Sequence, residues 1–164
     1  MLHTTNTLRQ TIINGSKKIT FIIALFLTVG ISSSFATPND DLKDVVKTSF
    51  RKDFKKAELM SYEVSKQYTK LTLKLNDVVL FAFYADNGDL LAVSRNIRTN
   101  QLPIQLLLEL KKNYNSDYWV TDLFEINSDG QHSYYVTMEN ENTKTTLRSS
   151  GSNSWETYEK TIKK

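Results

Sequence analysis

The sequence predicts an α+β domain: two tandem helix-plus-four-strand units sharing one antiparallel sheet, with two helices packed on one face. Three observations carry this. Apolar residues recur at helical spacing from Leu42 to Phe54 and again from Ile104 to Tyr114. After each helix the period drops to two, clearest in Leu71, Leu73 and Leu75 and in Tyr134, Val136 and Met138. Turn signals rich in Asn, Asp and Gly then separate the strand runs.

The first 36 residues stand apart from this pattern. Arg9, Lys17 and Lys18 form a positive leader without acidic residues, Ile19 to Ile31 is an apolar run, and Ser34-Phe35-Ala36 offers small residues to a signal peptidase. As a helix that run spans about 20 Å, short of the roughly 30 Å hydrocarbon core, so a signal peptide is expected rather than an anchor. Cleavage is expected between Ala36 and Thr37, with no stable membrane insertion afterwards and a periplasmic or extracellular destination. The site has no cysteine to carry a lipid.

The leader holds three of the 21 basic residues and none of the 18 acidic ones, so residues 37–164 carry 18 of each. A neutral domain lacks the basic footprint that neutralises phosphates, which argues against nucleic acid as a partner. Its length suits a single domain with an adequate core, and the absence of cysteine excludes disulfides, thiol nucleophiles and cysteine zinc sites.

In chain order, Asp40 or Asp41 can cap the first helix. Leu42, Val45, Val46, Ser49, Phe50 and Phe54 form its stripe, and Arg51, Lys52, Lys55 and Lys56 crowd its negative end. Strands follow over Glu58 to Lys66, Leu71 to Leu75, Val78 to Ala85 and Leu90 to Val93. Pro103 suits the first turn of the second helix. Leu106, Leu107, Leu110 and Tyr114 supply its stripe, and Ile104 and Leu108 extend the apolar surface, so this helix is expected to be the more enclosed. The last four strands are expected over Tyr118 to Ile126, Tyr134 to Met138, Thr143 to Arg148 and Trp155 to Tyr158.

Laid on each other, Phe50 to Phe54 matches Leu110 to Tyr114, and the three leucines match Tyr134, Val136 and Met138. The period is roughly 60 residues, which places one repeat at about 40–98 and a second at about 100–161. The turns at Gly88, Gly130 and Gly151 need positive φ. Asp86-Asn87-Gly88-Asp89 lacks the alternating acids and later glutamate of a calcium loop, so it reads as a corner.

A helix ending in an aromatic-basic-aromatic tail, then a meander turning at Asp-Asn-Gly, resembles the PepSY-like family. This is the β-lactamase-inhibitor-protein-like group of exported bacterial domains. Phe50, Phe54, Asp86-Asn87-Gly88 and Leu102-Pro103 carry the resemblance, which covers about residues 40–160. The chain departs from the family's pattern at Lys55 and Asn115, where the family has proline, at Tyr62, where tryptophan is common, and in the polar hairpin from Asn140 to Trp155. It also lacks the disulfides of the inhibitors. The resemblance implies the fold; inhibition of β-lactamase depends on interface residues the family does not share.

No catalytic constellation is legible. His132 is the single histidine after the leader and sits beside a turn, and Asp122 with Glu125, or Glu139 with Glu141, are acids close in sequence rather than across a cleft. No enzyme, metal or cofactor is expected. Trp119, Phe124, Tyr135, Trp155 and Tyr158 are the candidate partner-binding residues, because one helix-covered side cannot absorb so many aromatics and such side chains are enriched at binding hot spots. The expected function is therefore an exported, non-enzymatic module binding an envelope protein or peptide through the open sheet face, inhibition being one form such binding takes. A carrier of a small apolar ligand and a self-associating envelope protein are the alternatives.

Overall fold

A computed structural model of the chain describes residues 42–114, 117–151 and 153–163. The leader, its cleavage site and the Asp40/Asp41 cap lie outside the described residues.

Helix α1 covers Asp44–Asp53, and strands β1 (Glu58–Val64), β2 (Thr69–Leu75), β3 (Val78–Tyr84) and β4 (Leu90–Asn96) follow. A 3-10 turn at Thr99–Gln101 leads into helix α2 (Ile104–Asn113). Strands β5 (Trp119–Ser128), β6 (Gln131–Glu139), β7 (Thr143–Ser149) and β8 (Glu156–Ile162) complete the chain.

The structure corrects the expectation of two tandem helix-plus-four-strand units. All eight strands form one antiparallel meander in the order β1-β2-β3-β4-β5-β6-β7-β8. Pairing does not stop at the expected boundary: Val93 to Asn96 face Asn127 to Phe124, and the Ile97 N–H donates to the Leu123 carbonyl at 3.0 Å. Backbone groups there gain partners that a separate unit's edge would leave to water. The fold is α+β with strands dominant, a single eight-stranded sheet carrying two short helices.

Alternation along the strands sorts residues onto two faces. Leu71 pairs with Ala82, Ala82 with Val93, Val93 with Asn127, and Leu123, four residues before Asn127, pairs with Val136. These residues share the helix side. Val46 and Phe50 of α1 pack there on Leu71, Leu73, Ala82 and Tyr84, while Leu110 of α2 packs on Leu123, Val136, Met138 and Leu147. Both helices thus bury their apolar stripes on the same face. The Tyr84 hydroxyl donates to Asp53 Oδ2 at 3.1 Å and fixes the end of α1 to the sheet. Burial, then the Asp53 carboxylate, push its pKa far above the usual tyrosine range.

Helix α2 is not the more enclosed of the two. Ile104 and Leu108 are 63% and 55% exposed, because the stripe through Leu106 and Leu110 turns the i and i+4 positions between them outward.

The Asp86 to Asp89 corner has a definite role. Gly88 has φ +85°, and a Cβ there would stand 2.8 Å from Ser49 Oγ and 2.9 Å from Val45 Cγ2. The turn therefore lies directly against α1. Lys43 pairs with Asp86 at 2.8 Å, and Asn87 Nδ2 donates to Asp89 Oδ2 at 2.8 Å. Among the described residues no group of three potential ligands could hold a metal.

Candidate binding face

On the face opposite the helices the register builds two cross-strand rows. One runs Thr72, Phe81, Ser94, Ile126 and Ser133 through β2 to β6. The next runs Asn96, Phe124, Tyr135, Arg148 and Glu156 through β4 to β8. Directly opposed side chains on neighbouring strands are close enough to stack. Phe124 and Tyr135 do so, with centroids 5.1 Å apart and planes 10° apart, and the Arg148 guanidinium lies 5.9 Å from the Tyr135 centroid. Tyr158 meets Tyr135 edge-on at 5.7 Å.

Two bulges complete the cluster. Trp119 and Phe124 are five residues apart and would lie on opposite faces of a regular strand. A register shift between Val120 and Asp122 inserts Thr121 and brings Trp119 to the side of Phe124, opposite Glu139. A second shift in the pairing of β7 with β8 leaves Tyr158 unpaired in the ladder and turned to Tyr135. Trp119 is 50% exposed, with Lys163 Nζ 5.1 Å above its ring. Lys163 also pairs with Glu139 at 2.7 Å and Lys144 does so at 3.5 Å; the Lys163 hydrogen bond is the main reason the Glu139 carboxyl lies below its usual range.

The five candidate aromatics therefore separate. Trp119, Phe124, Tyr135 and Tyr158 share this face, with Phe124 and Tyr135 buried and Tyr158 half-buried. Trp155 does not join them. It precedes β8, packs in the cluster beneath α2, and donates its indole N–H to the Leu106 carbonyl at 2.9 Å; its backbone N–H donates to Glu109 Oε2 at 3.0 Å. Irregular backbone ahead of β8 breaks the alternation that would have revealed its side.

Composition alone could not identify the polar part of the face. Among the described residues, four buried side-chain polar atoms lack a hydrogen-bond partner: Thr69 Oγ1, Ser94 Oγ, Tyr135 Oη and Arg148 Nε. The last three belong to the two rows above. A buried polar group left unpaired costs about 1–3 kcal/mol. Burial raises the Tyr135 pKa far above the ordinary tyrosine range. Arg148 opposes that rise by its charge and by a loose contact with the hydroxyl that falls short of a well-formed hydrogen bond. Asp122, opposite Thr137 on the same face, also has a raised pKa; burial is the main cause, opposed by the Leu123 N–H and Lys144.

The sequence-adjacent acids do not converge. Glu125 lies on the helix side, paired with Arg95 at 2.7 Å, whereas Asp122 faces away from it. Exposed His132 shares with Leu80, Val93 and this ion pair the lining of an open groove of about 270 Å³.

No protein-family model matches the chain, and no curated protein sequence does. Solved structures do match it. A BLIP-like protein from Bacteroides fragilis is 15% identical, with a TM-score of 0.62 over 74% of this chain and 89% of that one. The fold is BLIP-like. A DUF2874 family protein from Bacteroides ovatus gives a TM-score of 0.66 at 12% identity, over 76% of this chain and 89% of that chain. A candidate periplasmic protein from Bacteroides eggerthii gives 0.65 at 11%, over 75% and 90%. At such identities the BLIP-like likeness concerns the fold alone. The finer PepSY-like resemblance rests on the residues quoted for it.

Proposed function

We propose that the protein is an exported, non-enzymatic binding module that engages a protein or peptide partner through the sheet face opposite its helices. The observation that carries this reading is the coincidence, on one face, of the aromatic cluster with three of the four unpartnered buried polar atoms among the described residues. Folded proteins satisfy nearly all buried polar groups, so an unpaired one calls for an explanation, and a missing partner is the one this reading adopts. Enzyme inhibition is one form such binding could take, as the likeness to a BLIP-like protein suggests.

Export is supported by the leader and by the periplasmic description of a structural neighbour. Among the described residues no helix is long and apolar enough to cross a membrane. Expression of the full chain followed by N-terminal sequencing of the product tests this reading, with Thr37 the expected first residue.

The docking test is affinity capture from envelope extracts with wild type, Trp119→Ala and Tyr158→Ala. Each variant is expected to lose the captured partner while melting within a few degrees of wild type. Undiminished capture by both would overturn the reading.

A further inference from the structure

β3 is an inner strand of the meander, yet Val78 and Val79 at its start are 39% and 42% exposed. The register explains this. β3 pairs with β2 along its whole length but with β4 only from Phe81 to Tyr84, the first pair being Phe81 with Ser94. Arg95 and Asn96 of β4 pair on their other side with Glu125 and Phe124, and no register pair joins them to Val79 or Leu80. The two strands therefore part beyond Phe81 and Ser94. Backbone groups on both sides of this fork lack the ladder partner that an inner strand ordinarily has.

The fork encloses space of one-sided charge. An open cavity of about 490 Å³ lies in it, walled by Val78, Val79 and Phe81 on one side and by Arg95, Asn96 and Arg98 on the other. Leu80 and Arg95 also wall the groove beside His132, so the parting is reached from both faces of the sheet. Arg98 is exposed and enters no ion pair among the described residues. Arg95 gives its Nε–H to Glu125 Oε1 at 2.7 Å, which leaves the terminal N–H groups of its guanidinium for another acceptor. Asp77, the acid of the lining, is held by Lys74 at 3.0 Å. Exposed valines beside two guanidinium groups suit a carboxylate carried on an apolar chain.

The shape selects the carrier. The open stretch of β3, Val78 to Leu80, is about 10 Å long and ends blind where Phe81 meets Ser94. A strand threading through is stopped there, whereas a chain end fits. Entering carboxylate first, it runs antiparallel to β4, pairs with the open backbone and carries its charge towards Arg95, with Arg98 at the mouth. We propose that the fork between β3 and β4 binds the free, extended C-terminus of a polypeptide whose last residues are apolar. This site goes beyond the aromatic docking face and does not depend on it.

The test uses 15N-labelled protein expressed from the full chain and follows its backbone amides by NMR. The probes are acetyl-Thr-Val-Val with a free carboxylate, its C-terminal amide, its backbone N-methylated form and acetate. The free acid is expected to shift the amides of Val78 to Leu80, Arg95 and Asn96 saturably. The C-terminal amide is expected to bind about tenfold more weakly, since a charge-assisted bond is lost. N-methylation, which removes the strand donors, is expected to cost about tenfold as well. Arg98→Gln changes an exposed side chain and is expected to shrink the advantage of acid over amide. Equal binding of acid and amide, undiminished binding of the methylated peptide, or acetate binding as tightly as the tripeptide would each overturn the proposal. So would shifts confined to residues away from the fork, or an acid preference untouched by Arg98→Gln. The docking face is judged separately, by capture with Trp119→Ala and Tyr158→Ala, so either site can fail while the other stands.

Discussion

Gly88 and Gly130 both have positive φ, +85° and +76°, yet only Gly88 touches a helix. Placing a side chain in the left-handed region costs about 1–2 kcal/mol. At Gly88 the new Cβ also collides with Ser49 and Val45, which adds about 1–3 kcal/mol of overpacking. Thermal melting should therefore show Gly88→Ala markedly less stable than Gly130→Ala, and equal melting temperatures would contradict the packing of this corner on α1. Asp122 gives a pH-dependent case. Its pKa is raised in the fold, so the folded state holds the proton more tightly, and stability is lost as pH climbs through the unfolded value of 3.8 towards the folded one. Asp122→Asn is expected to raise the melting temperature at pH 7, with the gain vanishing below 3.8. A gain independent of pH would point to some cause other than the charge. The glycine turns and the corner were legible because each residue type has one conformational use there. The burial of Asp122 was not, since a single carboxylate in a strand says nothing about its neighbours across the ladder.

Among the elements, the helices and strands follow closely from periodicity, because apolar stripes of period 3.6 or two must face the core wherever they occur. Sidedness was harder to read. Counting aromatics put Trp155 with the binding candidates, whereas its indole N–H binds the Leu106 carbonyl under α2. Trp155→Ala should lower the melting temperature strongly, by the roughly 3–5 kcal/mol typical of large-to-small core changes, and leave partner capture by the remaining folded protein unchanged. Trp155→Phe, which keeps an aromatic ring but loses the indole N–H bond and part of the packed volume, should cost about 1–3 kcal/mol, less than the alanine change. Loss of capture with unaltered melting would return Trp155 to the binding face. The Phe124–Tyr135–Arg148 ladder was likewise invisible beforehand: it depends on which residues oppose one another, and register is set by bulges that leave no compositional mark.

At the scale of the whole molecule, the edges of the continuous sheet among the described residues are β1 and β8. Each lies beside a register shift, between Leu59 and Ser61 in β1 and beside Tyr158 in β8, and β8 reads Glu-Thr-Tyr-Glu-Lys-Thr-Ile. Bulges and charges of this kind discourage strand addition. Size-exclusion chromatography of the mature protein is expected to give a monomer; a concentration-dependent dimer would revive edge-to-edge association. The sequence reading placed all strands in one antiparallel sheet; what fails is the seam it drew between two units, because the ladder of β4 runs on into β5.

The spacing between Trp119 and Phe124 in β5 sets what the molecule shows to its surroundings. In a chain lacking only Thr121, β5 would be regular and Trp119 would stand four residues before Phe124, so the ring would keep its side without the bulge. A second lost codon between Trp119 and Phe124 would instead swing that ring round to the side of α2, leaving the sheet standing but stripping the proposed docking surface of its most exposed aromatic.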